Sequence, residues 1–365
     1  MSNLSCGIVG LPNVGKSTLF NALTRKSIPS ENYPFCTIDP NIGIVNVFDP
    51  RLLVLTEQSK SQKTVFATVT FVDIAGLVKG ASLGEGLGNQ FLSHIRETDA
   101  IIQVVRCFED DQVIHVSGRI DPIQDIEVIN LELILADLQM VENSLQRIEK
   151  QAKGKKELLP AVDLLKKARD HLNQNLPLRK CPLNPQELEI AAKYPFLTMK
   201  KVLYAANVSE KDLPSMENPF VQKVREYAAS EGNLVVPVCA RLEEELSQLS
   251  EEEGRQYLQS IGLKESGLDR LIRAAFELLD LITYLTTGEL ESRAWTIRKG
   301  TNAAAAAGKI HSDLEKGFIR AEVVSYEDIV RYHGRVGARE AGKARSEGRE
   351  YIVKDGDVIL FYHSS

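Results

Sequence analysis

The first part of the chain alternates short apolar runs with stretches of mixed polar and apolar residues. Runs of this length are typical of strands buried in a mostly parallel sheet, and they cover residues 6–9, 42–48, 65–72 and 100–105. Two more runs, at 201–206 and 233–238, predict the last strands of the same sheet. Because the stretches between the runs are helix-like, the pattern predicts a doubly wound α/β domain.

Between these two groups of strands, the periodicity changes to that of long amphipathic helices. One stripe spaces its apolar residues by four and three positions in turn: Ile134, Leu138, Val141, Leu145, Ile148 and Ala152. A second stripe follows a short turn that contains glycine: Leu158, Val162, Leu165, Ala168 and Leu172. The two stripes predict an antiparallel helical hairpin (coiled coil) inserted in the α/β domain. Its tip is either a solvated end or a contact for RNA or an acidic partner, and it carries Lys150, Lys153, Lys155 and Lys156.

The C-terminal part of the chain has the pattern of a small α+β module. Strand candidates lie at 295–297, 317–324 and 351–362, with a helix candidate at 303–314. The predicted domains are therefore an α/β domain at 1–125 and 200–281, the inserted hairpin at 126–199, and a third domain at 282–365. A local excess of positive charge in this third domain suits a solvated loop or an RNA-binding face: Arg331, Arg335, Arg339, Lys343, Arg345 and Arg349.

Composition narrows the class of protein. The 365 residues are 43% hydrophobic and 26% charged, as in soluble globular proteins. No apolar run approaches the roughly 20 residues that span a bilayer, and the N-terminus lacks the features of a secretion signal. Five scattered cysteines fit a reducing cytoplasm, and the net charge of −6 gives no general attraction to nucleic acid, so any such binding must be local. We expect a cytoplasmic protein without membrane or DNA specificity, and a monomer.

Residues 10–17 carry the clearest chemical signal, the spacing G-x-x-x-x-G-K-[ST] between a predicted strand and a predicted helix. Gly10 and Gly15 let the backbone curl so that its N–H groups point at phosphate oxygens. Lys16 is placed to reach the β- and γ-phosphates and the Ser17 hydroxyl to ligate Mg²⁺. The predicted phosphate-binding residues are Asn13, Val14, Gly15, Lys16, Ser17 and Thr18.

Two further segments match the switch regions of nucleotide hydrolases. Asp73-Ile74-Ala75-Gly76 follows a predicted strand, so Asp73 can hold Mg²⁺ through water and the Gly76 N–H can contact the γ-phosphate. Thr37 lies between the two motifs in the sequence and can close over Mg²⁺ and the γ-phosphate. The predicted Mg²⁺ ligands are thus Ser17, Thr37 and Asp73. Leu77 stands where many GTPases place a glutamine that orients water, so unassisted hydrolysis should be slow.

These motifs resemble those of the YchF (Obg-like ATPase) family, which is related to the Obg group of translation-factor-class P-loop GTPases. The resemblance rests on residues 10–17, 73–80 and 84–88 and extends over essentially the whole chain, including a C-terminal module similar to a TGS domain. It implies a P-loop NTPase fold and a cytoplasmic, ribosome-associated nucleotidase that prefers ATP. It also implies a role in regulating translation or a stress response.

The catalytic candidates combine these motifs with two less certain positions. Lys16, Thr37 and Gly76 come from the motifs themselves. Asn13 resembles the asparagine that binds K⁺ in potassium-activated relatives, so K⁺ is a candidate second cofactor. His115, in a short apolar segment beyond the fourth predicted strand, is either a catalytic group or a structural histidine.

The segment that would read the base departs from the guanine pattern of the resembling GTPases. They carry Asn-Lys-x-Asp, whose carboxylate accepts hydrogen bonds from guanine, whereas this chain has Asn207-Val208-Ser209-Glu210. Asn207 can still pair with N6 and N7 of adenine, so we expect ATP to be preferred over GTP. The predicted base site comprises Asn207, Val208, Glu210, Cys239 and Ala240. An Obg-type GTPase, and an RNA-binding adaptor in which nucleotide is structural, are the alternatives.

Overall fold

The computed structural model describes residues 4–26, 41–75, 87–110 and 119–364, and the side chains of all of these except 87–89. In chain order the elements are β1 (Ser5–Val9), α1 (Lys16–Arg25), β2 (Ile42–Val47), α2 (Pro50–Ser59), β3 (Lys63–Val65), β4 (Ala67–Asp73), α3 (Leu87–Glu97), β5 (Ala100–Arg106), α4 (Pro122–Ala152), α5 (Leu159–Leu172), α6 (Pro185–Ala191), β6 (Lys201–Asn207), α7 (Pro219–Glu231), β7 (Leu234–Val238), α8 (Ala240–Leu246), α9 (Glu251–Ser260), α10 (Gly267–Leu278), β8 (Leu281–Thr287), β9 (Glu291–Arg298), α11 (Ala303–Ile310), α12 (Ser312–Lys316), β10 (Phe318–Ser325), α13 (Tyr326–Arg331), α14 (Arg335–Glu340), β11 (Arg345–Glu347) and β12 (Asp357–His363). Within these ranges, no helix is both long and apolar enough to cross a membrane.

The first sheet has the strand order β2-β4-β1-β5-β6-β7. The pairings of β1 with β4 and β5, and of β6 with β5 and β7, are all parallel. Every residue of β1 and β5 is buried, which explains why these strands are continuous apolar runs in the sequence. The predicted doubly wound α/β domain is therefore confirmed. Because parallel strands end at one edge, the loops after β1, β4, β6 and β7 converge there.

The predicted hairpin is formed by α4 and α5. Asp121 caps the start of α4 by accepting a hydrogen bond from the N–H of Gln124 at 3.2 Å. The two apolar stripes pack against each other in one core that includes Val141, Leu145 and Leu165. A buried carboxylate, Asp137 of α4, accepts hydrogen bonds from the backbone N–H groups of residues 197 and 198, which fixes the hairpin to the segment that leads into β6.

The second sheet has the order β11-β10-β12-β8-β9-β3 and, with its helices, forms the predicted α+β domain. The alanine-rich helix α11 packs on it in a core with Tyr284, Phe318 and Ile359. The helix predicted at 303–314 is divided into α11 and α12 because His311 is extended, at φ −159°, and its side chain caps α12.

Residues 44–69 pack with the C-terminal part of the chain. Contacts divide the chain into one unit of residues 1–43 and 70–274 and another of residues 44–69 and 275–365. In the second unit β3 pairs in parallel with β9, and Arg51 of α2 binds Asp355 at 2.9 Å. The run predicted as one strand at 65–72 is thus divided between β3 and β4, which belong to different sheets. The predicted division into three domains remains a proposal, with bounds at 1–125 and 200–281, 126–199 and 282–365. The contacts show in addition that residues 44–69 pack with the C-terminal strands.

Candidate nucleotide-binding site

The loop between β1 and α1 makes its turn with two residues in the left-handed region. Asn13 has φ +64° and Gly15 has φ +94°, and Gly15 is the residue that caps the start of α1. A side chain on Gly10 would meet Val14 Cγ2 at 2.8 Å and the carbonyl of residue 104 at 3.2 Å. The glycines of the motif therefore allow both the turn and the close approach of the loop to the sheet. The N-cap residue, Gly15, has no side chain to bind the first N–H groups of α1, so this helix start can bind an anion.

Lys16 and Asp73 form an ion pair across this edge of the sheet. Asp73 is the last residue of β4 and lies opposite Ile8 of β1 in the parallel register. Its N–H donates to the Asn41 carbonyl at 2.8 Å, while Ser17 is exposed at the start of α1. A hydroxyl and a carboxylate are hard oxygen donors that suit Mg²⁺. The two described members of the predicted ligand set thus fit that ion chemically.

Asn207, at the end of β6, joins the phosphate loop to the loop after β7. Its Nδ2 donates to the Val14 carbonyl at 2.8 Å, and its Oδ1 accepts from the Ala240 N–H at 2.9 Å. The side chain is 4% exposed and lies against Gly15, where an added Cβ would collide with it. The sequence hypothesis paired this amide with adenine, but in the structure both of its polar atoms already bind backbone groups. We call this pair of hydrogen bonds the Asn207 bridge.

A pocket of about 400 Å³ opens beside the Asn207 bridge, at the carboxyl edge of the sheet. It is lined by Asn13, Gly15, Thr18, Phe108, Asp110, Asn207, Val208, Ser209, Glu210, Cys239, Ala240, Arg241 and Glu244. Glu210 makes an ion pair with Arg241, with 3.4 Å between Oε2 and Nε. Burial raises the pKa of the Cys239 thiol to about 11, so this thiol is neutral at physiological pH.

The sequence analysis missed Phe108 and Asp110 as lining residues. They follow β5, whose end lies at the same edge of the sheet as the ends of β1 and β6, and this position was the available signal. Buried Arg106 holds the segment, because its Nε donates to the Phe108 carbonyl at 3.2 Å and its guanidinium lies 4.6 Å from the centre of the Phe108 ring. Burial lowers the pKa of Arg106.

Most of the predicted site residues come together at this edge. Eight of them line the pocket: Asn13, Gly15, Thr18, Asn207, Val208, Glu210, Cys239 and Ala240. Val14 is bound by the Asn207 bridge, and Lys16 and Ser17 begin α1 beside it. Thr37, Gly76, Leu77 and His115 lie outside the described residues, and their predicted roles stay predictions.

The parallel sheet and the loop from β1 to α1 define a P-loop NTPase domain. The family model MMR_HSR1, described as a 50S ribosome-binding GTPase, matches residues 5–152. The model YchF-GTPase_C, described as a protein of unknown function (DUF933), matches residues 281–364.

Full-length relatives identify the family of the chain more specifically than the two family models do. Proteins named ribosome-binding ATPase YchF are 55% identical in Escherichia coli O157:H7 over 357 residues, and 54% identical in Bacillus subtilis over 360 residues. Each comparison covers 98% of both chains. A solved structure of the Schizosaccharomyces pombe YchF GTPase superposes with a TM-score of 0.88 at 41% identity, over 99% of this chain and 98% of that one. The chain therefore belongs to the YchF family.

Proposed function

We propose that this protein is a ribosome-associated switch that binds ATP in preference to GTP and hydrolyses it slowly with Mg²⁺. The observation that carries the ATP assignment is the base pocket, where the guanine-reading aspartate is replaced by Glu210. In the nucleotide-free structure that carboxylate already has a cationic partner, since its Oε2 lies 3.4 Å from the Nε of Arg241. Val208, where GTPases carry lysine, is buried at 3% exposure.

The phosphate half of the site supplies binding and charge. The N–H groups at the start of α1 and the ammonium of Lys16 would bind the phosphate oxygens, and Lys16 would exchange its present partner, Asp73, for the nucleotide. Ser17, Asp73 and Thr37 are the proposed holders of Mg²⁺. When bound, the ion neutralises charge on the β- and γ-phosphates. Leu77 cannot orient water by hydrogen bonding, so slow turnover that a partner accelerates is part of the proposal.

Two candidate groups for that acceleration come from the chain itself. Asn13, exposed in the phosphate loop at φ +64°, is proposed to hold K⁺ beside the phosphates. His115 is proposed as a catalytic group, with a structural role as the alternative. Replacing K⁺ by Na⁺ in the turnover assay tests the first, and His115→Ala tests the second, since a catalytic histidine should lower turnover without lowering ATP affinity.

Ribosome association is supported by the names of the relatives and by the charge on the hairpin. Lys150, Lys153, Lys155 and Lys156 are all exposed, and within the described part of the chain none of them makes an ion pair. We propose a cytoplasmic monomer whose bound nucleotide changes its affinity for the ribosome, and thereby regulates translation or a stress response.

Competition between ATP and GTP for the purified protein, with and without ribosomes, tests the proposal. We expect tighter ATP binding, and ribosome sedimentation that differs between the ATP and ADP forms. The double variant Val208→Lys with Glu210→Asp should shift the ATP-to-GTP affinity ratio toward GTP by about tenfold or more, since one well-placed bidentate contact contributes about 1–3 kcal/mol of discrimination. Glu244→Asp, the same change at the pocket rim, is the control.

Two results would overturn this function. Tight GTP binding with negligible ATP binding would identify an Obg-type GTPase instead, in agreement with the description of the Schizosaccharomyces pombe relative as a GTPase. Equal sedimentation with ribosomes in the nucleotide-free, ADP and ATP forms would identify an adaptor in which the nucleotide is structural.

A further inference from the structure

A second pocket, of about 390 Å³, lies on the hairpin and away from the residues of the nucleotide site. It is lined by Arg96 of α3 and by six residues of α4: Ala136, Gln139, Met140, Asn143, Ser144 and Arg147. We call it the arginine groove. Among the described residues, two guanidinium groups line it and no carboxylate does, although Glu97 and Glu142 are neighbours in the sequence. This is a local concentration of positive charge on a chain whose net charge is −6.

The groove is built on rigid elements. Residues 139, 143 and 147 are spaced by four, so their side chains follow one face of α4, and all three are exposed. The lining residues beside them are mostly buried, since Ala136 is 6% and Ser144 9% exposed, and the Ser144 hydroxyl donates to the Met140 sulfur at 3.7 Å. Lys200 fixes the other wall, because its ammonium donates to the Arg96 carbonyl at 3.3 Å near the end of α3.

Within the described structure, the charge of Arg96 is partly compensated by an electrostatic interaction with the buried carboxylate of Asp137. Neither Arg96 nor Arg147 makes an ion pair there, whereas Glu149, one turn from the hairpin tip, is paired with Lys166 at 3.3 Å. One turn beyond Arg147 the same helix carries exposed Lys150, and Lys153 follows at its end. The positive surface therefore continues from the groove to the tip of the hairpin.

We propose that the arginine groove binds the phosphodiester backbone of RNA, with one phosphate on Arg96 and another on Arg147. The guanidinium fork suits phosphate oxygens, and the amides of Gln139 and Asn143 can bond to the 2′-hydroxyl and to base edges. The lysines toward the tip would follow the next phosphates along the strand. Exposed Leu135 lies one turn before Gln139 on α4, but it is not part of the described groove lining, in which five of seven residues are polar or charged, as a contact with a phosphodiester backbone requires. This inference rests on the proposed ribosome association and names its chemical basis.

Binding to protein-free ribosomal RNA, measured across a salt series, tests the groove directly. The double variant Arg96→Gln with Arg147→Gln should bind this RNA about tenfold more weakly than the parent, with the slope of log affinity against log salt reduced by about 2. The matched control is Arg225→Gln with Arg255→Gln. It removes the same charge from half-buried Arg225 on α7 and exposed Arg255 on α9, which are paired with Glu217 and Glu252, and it should change the affinity less than about twofold. ATP turnover without ribosomes should be unchanged in both double variants.

The possible results distinguish a failure of the groove proposal from a failure of the proposed ribosome association. If the Arg96 and Arg147 double variant has the same RNA affinity and salt slope as the control variant, the proposal that the groove binds RNA is wrong. If the parent binds ribosomes but not protein-free RNA, while the groove variant loses ribosome binding, then the partner is an acidic protein and the RNA assignment is wrong. If the parent fails to sediment with ribosomes in any nucleotide state, the proposed ribosome association fails, and the RNA measurement still decides the groove.

Discussion

Replacing Asn207 by alanine should weaken nucleotide binding without regard to the base. In the parent protein this amide satisfies the Val14 carbonyl and the Ala240 N–H, at 2.8 and 2.9 Å. In the variant, water can enter the space that the amide leaves, because Asn207 and Ala240 both line the pocket. Bound nucleotide would exclude that water, so the cost of the two unpaired groups falls on binding.

The magnitude follows from the cost of unpaired buried groups. Each backbone group left without a partner costs about 1–1.5 kcal/mol at the lower end of the usual range, which gives about 2–3 kcal/mol for the pair. At about 1.4 kcal/mol for each factor of ten, the dissociation constant should rise about 30-fold to 150-fold.

Titration calorimetry of the nucleotide-free protein with ATP, GTP and tripolyphosphate is the assay. The Asn207 bridge predicts the same loss for ATP and GTP, because either base excludes water from the two backbone groups, and a smaller loss for tripolyphosphate, which leaves the base pocket open. A loss for ATP with GTP unaffected would show that Asn207 pairs with adenine and would refute the reasoning. Asn173→Ala, at an exposed position after α5, controls for the loss of an asparagine side chain.

Three further predictions concern the site and its support. Lys16→Ala should lower kcat/KM for ATP by at least about a hundredfold, as loss of a charged transition-state contact does, and steady-state turnover with Mg²⁺ near the parental rate would contradict the phosphate assignment. Gly15→Ala should lower ATP affinity by about tenfold or more, because it combines the 1–2 kcal/mol cost of a left-handed residue with a collision against Asn207. Gly232→Ala, at φ +70° with nothing nearby, should lower only the melting temperature. Burial raises the pKa of Glu243 to about 7, so its contribution to stability is fully present below its unfolded pKa and is lost as the pH rises toward 7. The free energy of unfolding of Glu243→Gln, measured by thermal unfolding, should therefore match that of the parent at pH 5. At pH 8 it should exceed the parental value by up to about 3 kcal/mol. An equal difference at both pH values would contradict a raised pKa for Glu243.

Features encoded by contiguous residues were predictable from the sequence. The phosphate loop at 10–17 is one such feature, because a single turn must supply backbone donors, a lysine and a hydroxyl at fixed spacing. The heptad stripes of α4 and α5 are another such feature, since the apolar residues of each helix face recur at a regular spacing along the sequence. The buried parallel strands β1, β5 and β6 could be recognised because both of their faces are covered.

Features that depend on pairing between distant residues were not predictable. The strand β3 is only three residues long, reads Lys63-Thr64-Val65, and finds its partner in β9, which no local pattern indicates. The Asn207 bridge joins residues from three loops that are far apart in sequence. A sequence pattern shows that an asparagine follows β6 but cannot show that backbone groups already occupy its amide.

The packing of residues 44–69 with the C-terminal strands has a consequence for how the chain folds during its own synthesis. The segment α2–β3 is synthesised early, whereas its partners β9 and α13 are synthesised near the end. The segment contacts β9 by strand pairing and α13 by a 3.1 Å hydrogen bond from Gln58 to the Ile329 carbonyl. Leu52 and Leu55 of α2, fully buried in the finished protein, must wait for that surface. A chain truncated before β8 would lack the partner strands of this early segment, so the C-terminal domain is part of folding the first half of the sequence and not an appendage to it.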